Sequence, residues 1–261
     1  MKMLGIFKEI YNYREMIANL VRKDLRGRYK GSVLGFLWTF LNPLLQLLVY
    51  TLVFSYIMRS GIEKFYLFLF VALVPWIFFS TCVSAGAGII LAEKNLIVKI
   101  HFPREVIPIY FVTSSFINML YCFIVVFAVI IISGIPINFI ALLYLPIIMA
   151  IEYVIALGAC FIVSAFTVYF RDLQHIMGIL VMAWQFLTPI LYPITKVPDN
   201  LMPIFMLNPM TPVVNAYRDI LFYAKIPDMF TLIHATAVGI VALVIGFLIF
   251  NRLKRRFAEV L

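Results

Sequence analysis

The sequence predicts an all-α integral membrane protein with six membrane-spanning helices, and three observations support this fold class. Of the 261 residues, 64% are hydrophobic and only 13% are charged, whereas soluble domains average about 45–50% apolar and about 25% charged residues. Long stretches of the chain contain no Asp, Glu, Lys or Arg. The basic residues gather between these stretches. Soluble enzymes, disulfide scaffolds and disordered proteins are therefore excluded.

The first 30 residues are polar and lack the continuous apolar core of a signal peptide. Apolar residues in this segment alternate at steps of four and three, at Ile6, Ile10, Tyr13, Ile17 and Leu20. This spacing places them on one helix face and the charged residues on the other. We expect residues 1–30 to form a cytoplasmic amphipathic helix in the membrane interface. The alternative is a solvated helix that packs on another part of the protein.

Residues 31–251 provide the membrane domain. A helix needs about 20 uncharged residues to cross about 30 Å of hydrocarbon. The uncharged window 106–151 is too long for one crossing, and the turn-forming sequence Ser133 to Asn138 interrupts it, so we divide it between two helices. The six predicted spans are 33–58, 65–91, 106–133, 139–169, 174–195 and 229–251.

The distribution of basic residues predicts the orientation. Sixteen of the 21 Lys and Arg residues lie before the first span, in the loop 92–105, at Arg171 and in the tail 252–261, and the other five lie in the alternate connections. Cytoplasmic loops of membrane proteins carry the excess of Lys and Arg. Both termini are therefore predicted to be cytoplasmic.

The connection 196–228 is not an ordinary loop, because its apolar part contains Pro203, Pro209 and Pro212 and cannot form one spanning helix. Pro209 and Pro212 each follow a residue that commonly caps a helix N-terminus, Asn208 and Thr211. We expect one or two short helices that enter the outer leaflet without crossing it. Such irregular backbone requires protein or a watery cavity around it.

The sequence lacks the motifs of catalysis. There is no GxxxxGK[ST] loop for nucleotide phosphates. The three histidines are isolated from one another and from any acidic pair, and the three cysteines are scattered through apolar stretches. The basic residues follow the membrane pattern, so nucleic-acid binding is not expected either. We therefore predict no catalytic residue, no metal site and no cofactor in this chain.

Glu152 is the one acidic residue well inside a predicted span. An ionisable group there is costly unless it is paired or faces water. Glu152 is thus either a functional residue, a structural hydrogen-bond partner of a neighbouring helix, or a residue placed at the interface.

Aromatic side chains crowd the first and fifth predicted spans. They fit a lipid-facing belt, and their faces would also stack on sugar rings in a channel. The candidate channel aromatics are Phe36, Trp38, Phe40, Tyr50, Phe54, Trp184, Phe186 and Tyr192.

Several runs of sequence resemble polysaccharide-exporting ABC-transporter permeases of the ABC-2 type. The first run is RKDLRGRYKGSVLGFLWTFLNPLLQLLVYTLVF, residues 22–54. The likeness continues in register through residues 75–108, FRDLQHIMG (170–178), LTPILYP (187–193) and NPMTPVVNAYRDILF (208–222). The resemblance therefore covers nearly the whole chain.

This resemblance implies a homodimer that forms a channel and two copies of a separate cytoplasmic ATPase subunit, which binds ATP and Mg. It implies that the loop 92–105 couples to the ATPase through Glu93, Lys94, Lys99, His101, Arg104 and Glu105. It also implies that the short helices near the last span form an outer gate, with Asn208, Pro209, Pro212, Arg218 and Asp219 as candidates. Members of the family export O-antigen, teichoic acid or capsule-like polymers, commonly on a lipid carrier.

The expected function is export of a lipid-linked polysaccharide across the cytoplasmic membrane of a bacterium. Cationic residues near the interface would attract the pyrophosphate of the carrier, or would simply obey the positive-inside rule; they are Arg22, Lys23, Arg26, Arg28 and Lys30. An ABC-2 drug or lipid exporter is one alternative. A membrane-embedded enzyme that acts on polyprenyl-linked sugars is another, which the missing acidic motif disfavours.

Arg218 and Asp219 are adjacent, so on a helix they point about 100° apart and are not expected to pair with each other. Near the bilayer each would meet an opposite charge, a helix end or water. The alternative is a pair of solvated residues on an outer loop.

Overall fold

The computed structural model describes residues 3–28, 31–59 and 61–260, and the regular elements of these residues are all helical. The α-helices are α1 (Met3–Asn12), α2 (Arg14–Gly27), α3 (Trp38–Thr51), α4 (Phe65–Ala87), α5 (Ile89–Ala92), α6 (Lys94–Lys99), α7 (Val106–Ile132), α8 (Phe139–Leu142), α9 (Leu145–Tyr169), α10 (Leu173–Phe186), α11 (Met202–Leu207), α12 (Met210–Leu221), α13 (Met229–Leu253) and α14 (Phe257–Val260). A short 3₁₀ turn precedes α3 and a π-helical turn, Leu52–Ile57, follows it.

Five helical segments among the described residues are long and apolar enough to cross a membrane: Gly35–Ile57, Phe65–Ala87, Val106–Ile132, Phe139–Tyr169 and Met229–Arg256. The shortest of them has 23 residues, which corresponds to about 35 Å of helix against about 30 Å of hydrocarbon. The chain is thus a multi-pass membrane protein.

The segment expected to form another span, 174–195, is helical only over Leu173–Phe186. Its 14 residues correspond to about 21 Å, which is shorter than the hydrocarbon layer. The chain then turns through Leu187 to Pro193, where Pro189 and Pro193 lack the N–H groups that would continue a helix. A sixth complete crossing stays a prediction.

Helix α4 forms the centre of the bundle. In its most apolar window 78% of the residues are buried, compared with 11% for Gly35–Ile57. It packs against α3, α7, α9, α10 and α12. Because α4 is surrounded by other helices, it is apolar on all sides rather than on one face.

Helices α9 and α13 approach each other closely through glycines. A Cβ on Gly158 would collide with the backbone of Ala242 and Leu243, and a Cβ on Gly246 would collide with the backbone of Gly158. Lipid is as apolar as a leucine side chain, so membrane helices associate through such close packing. This pair therefore fixes the last spanning helix against the bundle.

The predicted amphipathic helix consists of two helices, α1 and α2, which a turn at Tyr13 separates. Residues 3–28 lie at the same end of the bundle as residues 89–105 and 252–256: Tyr13 contacts residue His101 and Lys23 contacts Glu93. We call this the basic end. The opposite end carries residues 187–228, and we call it the far end.

Candidate substrate path, far-end helices and coupling surface

The turn after α10 is buried although it is not helical. Thr188, Pro189, Ile190 and Leu191 are all buried. Carbonyl groups in such a turn have no intrahelical partner, and an unsatisfied polar group in an apolar surrounding costs several kcal/mol. Donors from elsewhere in the chain must therefore satisfy them.

Arg218 of α12 supplies these donors. It is only 2% exposed, and its guanidinium donates to the carbonyl oxygens of Pro189 and Ile190 and, at 3.3 Å, of Tyr192. Its Nε donates to the carbonyl of Phe68 at 3.3 Å, and its charge lies 3.6 Å from the centre of the Phe68 ring. Arg218 thus joins the start of α4, the turn and α12.

No carboxylate pairs with Arg218 in the part of the chain that the structure describes. Burial lowers the pKa of Arg218 to about 9, so the guanidinium remains charged at neutral pH. The sequence left three kinds of partner open for Arg218, namely an opposite charge, a helix end or water. In the structure its partners are carbonyl groups just beyond the end of α10. A helix C-terminus carries partial negative charge, and carbonyls in this position stabilise a cation in the same way.

Tyr217, the residue before Arg218, anchors the same helix to α9. Its hydroxyl donates to Oε2 of Glu152 at 2.6 Å, and both side chains are fully buried. Oε1 of Glu152 has no hydrogen-bond partner among the described residues. Of the three roles that the sequence left open for Glu152, the structure therefore shows a structural hydrogen bond to another helix.

Asn208 holds the start of α12 against the end of α10. Its side-chain amide donates to the carbonyl of Leu187 at 3.1 Å and to the hydroxyl of Thr188 at 2.8 Å. Its Oδ1 accepts from the indole of Trp184 at 3.0 Å and from the backbone N–H of Met210 at 3.0 Å. This one side chain uses both its donors and its acceptor.

Pro209 and Pro212 lie at the first turn of α12, where a missing N–H removes no helix hydrogen bond. Asp219 is half-buried near the other end of the same helix. Burial raises the pKa of the Asp219 carboxyl, and the charge of Lys225 opposes this shift. The five candidate gate residues thus belong to one packed unit at the far end.

The candidate channel aromatics divide into two groups. Phe36 and Phe186 are half exposed, at 51% and 55%. The other six are partly buried. Trp38 donates to Ser32 at 3.0 Å, Phe40 packs edge-on against Phe36, and Tyr50 accepts from Gln185 at 3.1 Å. Phe54 stacks on Phe65, Trp184 packs edge-on against Phe79, and the Tyr192 hydroxyl donates to the carbonyl of Phe186 at 2.6 Å.

Among helices α3, α4, α7, α9, α10 and α13, the smallest buried fractions belong to α3 and α10, although both contact α4. Only Thr39, Pro43 and Leu47 are buried on α3, and only Val181 is buried on α10. Gln185 of α10 donates to the hydroxyl of Tyr50 on α3 at 3.1 Å, so the two helices are neighbours. The exposed large side chains of the two helices, which we call the α3–α10 face, are mostly aliphatic, with Phe186 at the end of α10.

The six candidate coupling residues also divide into two groups. Lys94, Lys99 and His101 are exposed. The other three, Glu93, Arg104 and Glu105, hold the segment in place. Glu93 accepts from Tyr110 at 2.9 Å and lies 3.5 Å from Lys23. Arg104 donates to the carbonyl of Lys254, and the fully buried Glu105 pairs with the Lys254 amine.

Three of the candidate interface cations, Arg22, Lys23 and Arg26, are exposed. Arg28 instead pairs with Asp24 at 2.8 Å and donates to Ser114 at 3.1 Å and Ser115 at 2.9 Å. This network fastens α2 to α7. Lys30 lies outside the described residues.

The profile of the ABC-2 type transporter family matches residues 16–222 of this chain. The chain belongs to the ABC-2 type transporter family. This match runs from the interface helix to the end of α12, so it includes the coupling segment and most of the far-end unit. Relatives of this ABC-2 transporter chain extend the likeness to almost its whole length.

One relative is an O-antigen export system permease protein, RfbA, of Myxococcus xanthus, which is 38% identical over 98% of this chain and 99% of its own length. An RfbA permease of Klebsiella pneumoniae is 31% identical over 95% of both chains. The polysialic acid transport protein KpsM of Escherichia coli is 23% identical over 90% of this ABC-2 transporter chain and 92% of its own.

Sequence reasoning missed two residues that organise these sites. Tyr217 gives no signal of its own, because a tyrosine near the bilayer also fits an interfacial belt. Asp24 had a usable signal, since it lies four residues before Arg28 on a predicted helix.

Proposed function

We propose that this chain is the membrane-embedded permease of an ATP-driven exporter of lipid-linked polysaccharide, of the O-antigen or teichoic-acid type. The observation that carries the proposal is the full-length likeness to permeases named for O-antigen export. The proposed location is the bacterial cytoplasmic membrane, with both termini in the cytoplasm. Two copies of the chain act with two copies of a separate ABC ATPase, which binds ATP and Mg.

The face formed by α3 and α10 supports the proposed homodimer. A polymer needs a wide path, and two copies that bring these faces together would enclose one. Phe36 and Phe186 would contribute exposed rings, and the Gln185–Tyr50 pair would contribute hydrogen-bonding groups. Stacking on aromatic faces depends little on the orientation of a sugar, so a chain of sugars slides past them.

The exposed side of α5–α6 supports the proposed contact with the ATPase. Val98 is 63% exposed and Ile100 is 51% exposed, with Lys94 and Lys99 beside them. Exposed apolar residues with charged residues around them are typical of a protein interface. Because Arg104 and Glu105 bind the C-terminal tail, movement at this surface would be transmitted to α13.

Arg22, Lys23 and Arg26 support the proposed attraction of the carrier pyrophosphate at the basic end. Each exposed cation near an anionic surface contributes about 1 kcal/mol. Arg28 would act indirectly, since its guanidinium already binds Asp24, Ser114 and Ser115.

Deletion of the gene in the source bacterium tests the proposal. The expected result is polymer that accumulates in the cytoplasm and disappears from the cell surface, with both restored by a plasmid copy. An affinity tag on the plasmid copy should recover an ABC ATPase from membranes. Unchanged surface polymer together with increased drug sensitivity would contradict polysaccharide export and favour a drug exporter. Sugar transfer by the purified chain without an ATPase would instead favour an enzyme.

A further inference from the structure

A cleft opens at the far end between residues 193–195, α12 and the start of α13. Its polar lining consists of Thr195, Asn215, Arg218, Asp219, Lys225 and Thr231, and Tyr223 adds an aromatic wall. These residues come from three separate parts of the chain. Apart from Arg218 and Asp219, none of them was among the candidate gate residues named from the sequence.

The polar groups of this cleft are poorly used by the protein itself. The Asp219 carboxylate forms no hydrogen bond with the residues that the structure describes, although it is half-buried and burial raises its pKa. Arg218 also reaches the cleft, but its donors are taken by backbone carbonyls. A half-buried carboxylate with no donor is costly unless a ligand or water supplies one.

Tyr223 provides an apolar surface in the cleft. Its side chain is 45% exposed, and the amine of Lys225 lies 5.7 Å from the ring centre. The backbone N–H of Lys225 donates to the backbone carbonyl of Asp219 at 2.7 Å, and Asp219 and Tyr223 both line the cleft. The cleft therefore offers an apolar face beside an acceptor and a donor.

This combination distinguishes between ligand classes. A phosphate would be repelled by Asp219. Of the two cations that line the cleft, Arg218 already donates to backbone carbonyls, and Lys225 is exposed to solvent, where salt screens its charge. An apolar drug would leave the carboxylate, the Asn215 amide and the threonine hydroxyls without partners. A sugar ring satisfies both requirements: adjacent hydroxyl groups donate to a carboxylate and an amide, while the C–H face of the ring packs on an aromatic side chain.

We propose that this far-end cleft binds pyranose units of a carbohydrate chain, with Asp219 and Asn215 as hydrogen-bond partners and Tyr223 as the stacking surface. This inference rests on the proposed function, because it assigns the polymer a second contact beyond the α3–α10 face. The cleft is preorganised: Tyr217 and Arg218 fasten α12 to α9 and to the buried turn. A rigid site loses little entropy when a ligand binds.

A photo-crosslinker in place of Tyr223 tests the proposal in cells. Tyr223→p-benzoylphenylalanine is introduced into the full-length chain in the source bacterium, and irradiated chains are purified and stained for glycan. The matched control is Phe139→p-benzoylphenylalanine, because Phe139 is 77% exposed at the same end and does not line the cleft. Glycan adducts are expected at position 223 and not at 139, and they should vanish in a strain that lacks the first glycosyltransferase.

Asp219→Leu in the same background should reduce the adduct about tenfold, since an acceptor for the sugar is removed. Asp219→Asn keeps the shape and should reduce it less, and Asn215→Leu gives an independent second variant. The amount of crosslinker-bearing chain in the membrane is measured for each, so that loss of folding is recognised. Equal adducts at positions 223 and 139, or adducts insensitive to all three substitutions in normally folded chains, would overturn the inference. If deletion of the whole chain left export intact, the proposed function would fail instead.

Discussion

Replacement of Arg218 by Leu is expected to destabilise the protein strongly, because four carbonyl groups each lose a donor at once. Arg218 bonds the carbonyls of Phe68, Pro189, Ile190 and Tyr192 and is 2% exposed. A hydrogen bond to a charged group contributes about 1.5–3 kcal/mol, but dehydration of the guanidinium offsets a large part of the sum. The expected loss in the free energy of unfolding is about 3–5 kcal/mol, the range for removing one partner of a buried charged contact.

Thermal unfolding of the detergent-solubilised chain, followed by tryptophan fluorescence, measures this effect. Trp184 is a suitable probe because it bonds Asn208 within the same unit. The midpoint should fall by roughly 10 °C in Arg218→Leu, given about 2–4 °C per kcal/mol for a chain of this size. Arg218→Lys should lie in between, because an ammonium cannot reproduce the planar fork.

Lys225→Leu is the matched control, since Lys225 is a cation on the same segment but is exposed. Its midpoint should change by less than about 2 °C, as is usual for surface substitutions. If Arg218→Leu unfolded like the unchanged chain and exported polymer normally, the carbonyls of the turn would not depend on Arg218. The account of the far-end unit would then be wrong.

Three further predictions concern other contacts. Tyr217→Phe should cost about 1–3 kcal/mol in the free energy of unfolding, because it leaves Glu152 without its only donor among the described residues; equal stability in a chemical unfolding titration would contradict this. Gly246→Leu should prevent α9 and α13 from approaching and reduce the folded chain in membranes, whereas Gly178→Leu, which meets open space, should not; equal amounts on an immunoblot would refute the packing argument. Val98→Glu should reduce recovery of the ATPase with a tagged chain by about tenfold while thermal unfolding stays unchanged, because a buried charge weakens an interface; undiminished recovery would exclude this surface.

Much of the architecture follows from the sequence alone. The uncharged windows locate the spanning helices, because only a helix about 20 residues long satisfies its own backbone in lipid. The expected helix over 174–195 ends at Phe186 instead, although Pro189 and Pro193, which cannot donate, follow directly in the sequence. The likeness of the run 22–54 to ABC-2 permeases likewise depends only on the order of residues, and the family match agrees with it.

The tertiary structure alone decided which helices are central and which residues are partners. The segments of α3 and α4 are both long and uncharged in sequence, and lipid is as apolar as a protein interior, so the packing shows which helix is central and which is exposed. The donors of the buried turn come from Arg218, 28 or 29 residues away along the chain from its main acceptors, and no local pattern encodes a contact of that range. Glu152 shows the same division. The sequence alone determined that Glu152 needs a partner in the membrane, and the fold determined that this partner is Tyr217.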